Sequence, residues 1–181
     1  GHKVTLFDKA KMIGGQLNLA KMVPGKEEFW GLVDWFSEML KSSGAEVKLG
    51  ELVTSSDVID FDEVIIATGV SPRDPKIKGH EKNNVVSYVE VLNGTGQIGQ
   101  KVAVIGAGGI GFDVSEYLVH ENKSDNKQIE IPKWMKEWGV GDPNKTPGGL
   151  AESGPKPEAA VRQVTLMQRK KQKLGRNLGK T

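Results

Sequence analysis

Cysteine is missing from all 181 residues, which removes disulfides, thiolate zinc sites, cysteine-ligated iron–sulfur clusters and thiol nucleophiles from this stretch of chain. A disulfide-stapled secreted fold is excluded with them. No apolar run approaches the ~18 residues of a membrane span, and Gly1-His2-Lys3 leads into a short strand rather than a signal-peptide core, so a cytoplasmic protein without a membrane partner is expected. Histidine is scarce: His2, His80 and His120 have no second histidine or carboxylate at ligand spacing, which argues against a metal or acid–base role. The carboxylates are scattered without a catalytic pairing. Excess charge is small as well, +2 overall, although residues 1–90 are net acidic and residues 91–181 net basic. Glycine, by contrast, is abundant at 23 positions, which suggests tight backbone turns near a ligand.

Lys3–Asp8 mixes β-branched and aromatic residues in a short apolar run closed by an acid, the pattern of a strand buried on both faces of a parallel sheet. Such a strand needs neighbours, so a chain opening this close to it reads as a piece of a larger protein. Met12–Val23 holds Gly14-Gly15 and runs into Pro24-Gly25, as a loop and turn would. From Lys26 to about Ser43, Phe29, Leu32, Val33, Trp35, Phe36, Met39 and Leu40 recur at helical spacing, with Gly44 where a C-cap glycine belongs. Short strands are expected at Val47–Leu49 and Glu51–Thr54, and a more hydrophobic one at Glu63–Ala67, ending in Thr68-Gly69. A connector rich in proline and glycine, with a short run Val85–Val91, separates two units. The second opens with the apolar strand Lys101–Ile105, a glycine turn and a helix over Gly111–Val119. Residues 120–160 carry five prolines and read as an insertion or long loop, partly disordered, with one short helix at Lys133–Trp138. Val161–Gln168 is the next strand.

Gly106, Gly108 and Gly111 spell G-x-G-x-x-G between a strand and a helix. In a dinucleotide-binding crossover the first glycine makes the tight turn, the second lets backbone approach a pyrophosphate, and the third allows close helix–strand packing. The helix N-terminus supplies unpaired N–H groups to that anion. A plain glycine turn is the alternative, and the flanking strand and helix weigh against it. An NAD site would carry an acid at the end of the second strand, about 20 residues on. Here the next strand ends at Gln168 and continues into Arg169-Lys170-Lys171. With the intervening residues taken as an insertion, cations replace the acid, as a 2′-phosphate requires, which favours NADPH over NADH. A solvated basic turn is the competing explanation. Asp8 at a strand end, Gly14-Gly15-Gln16 just after it, and Ala67-Thr68-Gly69 at another strand end together suggest a second cofactor path, although each alone is common on surfaces. Trp134 and Trp138 are read as packing. Residues 169–181 contain no aromatic, so nucleic acid is not an expected partner.

The runs V-T-L-F-D (4–8), I-G-G-Q-L-N-L-A-K (13–21), P-G-K-E-E-F (24–29), F-D-E-V-I-I-A-T-G (61–69), V-A-V-I-G-A-G-G-I-G-F-D (102–113) and L-M-Q-R-K (166–170) resemble the C-terminal half of NADPH-dependent 2,4-dienoyl-CoA reductases. That half is a flavoprotein module similar to pyridine-nucleotide-disulfide reductases and shared with trimethylamine dehydrogenase. The resemblance implies an α/β, Rossmann-like, three-layer FAD/NAD(P)-binding fold built here from two partial units: an FAD-binding unit (1–72), a connector (73–98) and an NADPH-binding unit (99–181) with the insertion 120–160. It implies cofactor contacts to FAD from Asp8, Gly14, Gly15, Gln16, Lys26, Val53, Ala67, Thr68 and Gly69, and to NADPH from Gly106, Gly108, Gly109, Gly111, Arg169 and Lys170. It further implies a parent in which NADPH reduces FAD, and electrons continue through a 4Fe-4S cluster to FMN in a barrel that reduces an enoyl-CoA substrate.

The chain departs from that pattern in several places. The family's first FAD glycine fingerprint belongs on a strand and helix preceding Gly1, and Asp8 stands where wider relatives carry Glu. Barrel, substrate site and cluster cysteines lie outside these residues, so no catalytic residue is expected and the fragment by itself should be inactive. A barrel-fused amine dehydrogenase, an NADH:flavin oxidoreductase and a regulatory nucleotide-binding module are the alternatives.

Overall fold

The computed structural model describes residues 1–121, 131–176 and 178. Two parallel crossovers organise it. In the first, β1 (Thr5–Asp8) pairs in parallel with β2 (Glu46–Leu49), Thr5 opposite Glu46 and Asp8 opposite Leu49, with α1 (Leu17–Ala20) and α2 (Glu28–Ser43) between them in sequence. Gly44 closes α2 in the left-handed conformation at φ 72°, where a side chain would be strained. After α3 (Tyr88–Leu92) comes the second crossover: β3 (Lys101–Ile105), α4 (Gly109–Val119), α5 (Ile131–Trp138) and β4 (Gln163–Met167), with β4 parallel to β3 from Lys101 opposite Gln163 to Ile105 opposite Met167.

One core joins the two halves. Val23, which follows α1, clusters with Val91 and Leu92 of α3 and with Val114, Tyr117 and Leu118 of α4. The alternation on β3 and β4 turns Val102, Val104 and Val164 toward this cluster and leaves Ile105 and Met167 exposed. Burial pushes the Tyr117 hydroxyl above its ordinary pKa, against a smaller opposing effect from Arg162.

Several expected elements differ. Glu63–Ala67 pairs with no strand: it is extended, with Ile65 90% and Ile66 83% exposed. Its sequence is that of a strand covered on both faces, and among the described residues no neighbouring strand pairs with it. β1 is likewise only half-buried rather than covered on both faces. Glu51–Thr54 is not a strand, because Gly50 turns the chain at φ 78° and Thr54 instead caps the 3₁₀ turn Ser55–Val58, exchanging hydrogen bonds with Asp57. The Met12–Val23 loop contains α1, and the run Val85–Val91 becomes the start of α3, because Ser87 and Glu90 form a reciprocal capping box. Within 120–160, α5 matches the short helix expected at Lys133–Trp138 and starts two residues earlier, while the 3₁₀ turn Pro147–Gly149 and an antiparallel bridge between Val140 and Leu150 give defined structure where a loop is expected. The part of the insertion at 122–130 lies outside the described residues.

Candidate functional site

The sharpest feature is the turn from β3 into α4. Gly106 has φ 121°, and its N–H donates to the Met167 carbonyl at 2.8 Å, tying the turn to the end of β4. Gly108 is the N-cap residue, and its carbonyl accepts the first helical hydrogen bond from Phe112 N–H at 3.1 Å. Gly111 is buried against the turn: a Cβ there would fall 1.7 Å from the Gly106 carbonyl oxygen and 3.4 Å from Leu166 Cδ1. The third glycine therefore holds α4 against its own turn and strand. Gly106, Gly108 and Gly109 are exposed, so the start of α4 presents backbone N–H groups, with their partial positive charge, at the surface. Arg169 and Lys170 follow β4 directly and are exposed, two and three residues past the carbonyl that anchors Gly106. Gln168 donates from its side chain to the Gln172 carbonyl, closing the basic turn.

A cavity of about 340 Å³ lies between the first glycine loop and α4. Gly14, Gln16 and Leu17 line it on one side, Phe29, Tyr88 and Leu92 form aromatic and aliphatic wall, and Ile110 and Asp113 of α4 complete it. Gly14 adopts φ 106°, and a Cβ there would come 2.9 Å from Asn18 Nδ2, which donates to the Ile13 carbonyl at 2.8 Å. Asn18 Oδ1 is buried without a hydrogen-bond partner. Lys26 Nζ reaches Asp113 at 2.6 Å, so a residue of the first crossover is ion-paired to the first turns of α4. Tyr88 is set by the cap of α3, where the Ser87 N–H and then its hydroxyl hold the Glu90 carboxyl below its usual pKa.

Not every expected position joins this cavity. Asp8 ends β1 and its Oδ1 accepts the Ala10 N–H at 2.8 Å, and Val53 is half-buried beyond β2. Neither lines the cavity, and Ala67, Thr68 and Gly69 continue the exposed stretch after Glu63. The sequence reading missed Phe29, Tyr88, Leu92, Ile110 and Asp113 as walls. The Ser87-x-x-Glu90 box was a legible signal for α3, whereas nothing local marks a lysine and an aspartate so far apart as partners. Two histidines also contradict expectation by meeting carboxylates: His80 lies 3.5 Å from both Asp74 and Glu81, and His120 lies 3.5 Å from Glu116. These contacts run along neighbouring residues at the surface. Trp134 and Trp138 stack on each other at 6.3 Å between centroids. Among the described residues, no helix is long and apolar enough to cross a membrane.

Comparison with known proteins is consistent with this geometry. The chain is 36% identical over 125 residues to the cinnamate reductase of Clostridium sporogenes, covering 68% of this chain and 18% of that protein. It is 35% identical over 127 residues to the NADH oxidase of Thermoanaerobacter brockii, covering 67% and 20%, and 32% identical over 139 residues to the bilirubin reductase of Mediterraneibacter gnavus, covering 76% and 21%. The chain thus spans about a fifth of the length of these relatives. A solved 2-naphthoyl-CoA reductase in complex with 2-naphthoyl-CoA superposes with a TM-score of 0.63 at 21% identity, over 100% of this chain and 32% of that one, which shows a shared fold. The profile of the family described as pyridine nucleotide-disulphide oxidoreductase matches residues 1–181. The chain belongs to that family and has its Rossmann-like FAD/NAD(P)-binding fold.

Proposed function

We propose that this module binds FAD and NADPH within a flavoprotein reductase resembling 2,4-dienoyl-CoA reductase. In that protein it would feed reducing equivalents to a barrel carrying FMN, a 4Fe-4S cluster and an enoyl-CoA substrate, in the cytoplasm. The observation that carries the reading is the β3, glycine turn, α4, β4 crossover with Arg169 and Lys170 at the end of β4. The residues present fit a dinucleotide: a Cβ at Gly106 or Gly108 would meet nothing within 4 Å, and Gly111 admits none beside the Gly106 carbonyl.

When bound, the nicotinamide supplies a two-electron reductant and the flavin the acceptor. The chain's own residues orient them. Backbone N–H groups at the start of α4 receive the pyrophosphate, and Arg169 and Lys170 receive the 2′-phosphate through charge-assisted hydrogen bonds. Asp8 has Oδ1 fixed by Ala10 N–H and would hold the ribose of FAD with its free oxygen. Gly14, Gly15, Gln16 and Lys26 would hold the flavin on one side, and Val53, Ala67, Thr68 and Gly69 would contact it elsewhere. Phe29, Tyr88 and Leu92 line the cavity beside the first glycine loop and would give a bound ring an apolar wall.

An NADH-using oxidoreductase is the second reading, favoured by the likeness to an NADH oxidase. The basic residues after β4 argue for the phosphorylated nucleotide. In the full-length protein under anaerobic conditions, NADPH should bleach the flavin at concentrations well below those needed with NADH, and Arg169→Glu should abolish that preference. Equal response to both nucleotides before mutation overturns the 2′-phosphate assignment, and binding without bleaching makes the module regulatory.

A further inference from the structure

Beyond Arg169 and Lys170 the chain turns back on itself. Arg176 N–H donates to the Lys173 carbonyl at 3.3 Å, and Leu178 N–H to the Gly175 carbonyl at 2.9 Å. These two bonds curl the segment, and the curl is seated on α4. A Cβ at Gly175, whose φ is 69°, would lie 3.2 Å from Phe112 Cζ and 3.1 Å from Leu178 Cδ1. The other methyl of Leu178 lies 3.8 Å from where a Cβ on Gly109 would stand. Gly109 and Phe112 belong to the first turn of α4, the turn whose N–H groups face outward. Between the two anchors sits Arg176, exposed, with Lys173 exposed just before it, and among the described residues neither forms an ion pair.

We propose that Lys173–Arg176, anchored on α4 together with Leu178, is a strap laid across the mouth of the dinucleotide turn and that Arg176, carried on it, binds the pyrophosphate of the nicotinamide nucleotide. This rests on the nucleotide reading above and adds a residue with a different role. Arg169 and Lys170 extend from the end of β4, where a 2′-phosphate is read. Arg176 is held instead over the first turn of α4, where the pyrophosphate lies. A guanidinium there pairs with the diphosphate through two parallel hydrogen bonds. The diphosphate is common to both nucleotides and the 2′-phosphate belongs to one, so the two groups of cations are separable by experiment.

Dissociation constants for NADPH and NADH, measured calorimetrically on the full-length protein, read the difference. Arg176→Gln should weaken both nucleotides by the same factor, about tenfold, the scale of one lost charged hydrogen bond. Arg169→Glu should weaken NADPH alone. Gly175→Val, whose side chain cannot seat against Phe112, should match Arg176→Gln with every cation still present. Trypsin provides a check that needs no variant: either nucleotide should protect equally against cleavage after Lys173 and Arg176, read by mass spectrometry. An Arg176→Gln effect confined to NADPH, no effect on either nucleotide, or tighter binding once the strap is altered each overturns the proposal. If Arg176→Gln weakens both while Arg169→Glu shows no selectivity, the strap stands and the 2′-phosphate reading falls. If neither nucleotide binds the unaltered protein, both fall.

Discussion

The two crossovers share a plan, strand to helix to parallel strand, yet they are held in different ways. In the second, α4 packs on both β3 and β4 and buries Val114, Tyr117 and Leu118. In the first, α2 packs on α1, buries no residue fully, and leaves Trp35, Phe36 and Met39 exposed although its apolar residues fall at regular helical spacing. One glycine contact accompanies this difference. Gly111 lets α4 reach its own turn, while the only glycine inside α2, Gly31, faces open space. A helix kept off its sheet cannot bury its stripe there, however well the stripe is patterned. Amphipathic periodicity thus forecasts a helix, and the position of a glycine forecasts how closely that helix approaches.

The largest expected effect comes from testing that contact. Gly111→Val places its Cβ inside the Gly106 carbonyl, and backbone must move because no flexible side chain is there to yield. A loss of about 3 kcal/mol is expected, at the upper end for an overpacked site, read as a drop in the denaturant midpoint. Gly31→Val in α2 serves as the matched control and should change stability by well under half that, since nothing lies within 4 Å of its Cβ. Equal losses at the two sites would mean that the glycines do not distinguish the crossovers.

Next in size is truncation of the stripes themselves. Leu118 on α4 is 1% exposed, and Leu118→Ala should cost about 3 kcal/mol from lost transfer energy and the cavity left behind. Met39 on α2 is 46% exposed, and Met39→Ala should cost less than about 1 kcal/mol. Similar costs at Leu118 and Met39 would show that α2 is covered in solution as α4 is.

The second crossover was also the more legible in the sequence. Its strands, its glycine turn and the helix after it rest on local signals: a continuous apolar run and glycines at fixed spacing. The helix start moved from Gly111 to Gly109, and the strand expected over Val161–Gln168 is shorter, Gln163–Met167. The first crossover was legible as elements and less so as packing. Glu63–Ala67 has the composition of an inner strand, but composition does not supply the neighbour that would make it one, and the residues remain exposed. The candidate site divides in the same way. Gly106, Gly108, Gly111 and Arg169 are marked by motif and position, whereas Phe29, Tyr88 and Asp113 reach the cavity only through packing between distant segments. The capping box at Ser87 lies between these cases, since it was written in the sequence and decides that residues 88–92 wind into a helix rather than extend.

The smallest effect tests the link between the two crossovers. Lys26 belongs to the first and Asp113 to the second, and at 2.6 Å theirs is the ion pair that bridges them among the described residues. Both side chains are about one-third exposed, so water and salt screen the attraction and its worth is about 1 kcal/mol. Lys26→Met and Asp113→Asn should each lose roughly that amount, and the double variant scarcely more than either, because the second change removes a partner already lost. In 1 M salt the coupling should shrink toward zero. The apolar contact of Val23 with the α3 and α4 cluster should still hold the halves together, leaving one cooperative transition. Two separated transitions in the Lys26→Met protein would show that the ion pair, and not the buried cluster, joins the halves. Strict additivity would show that the pair contributes nothing to their union, and α4 would then be placed by Gly111 and its own strands alone.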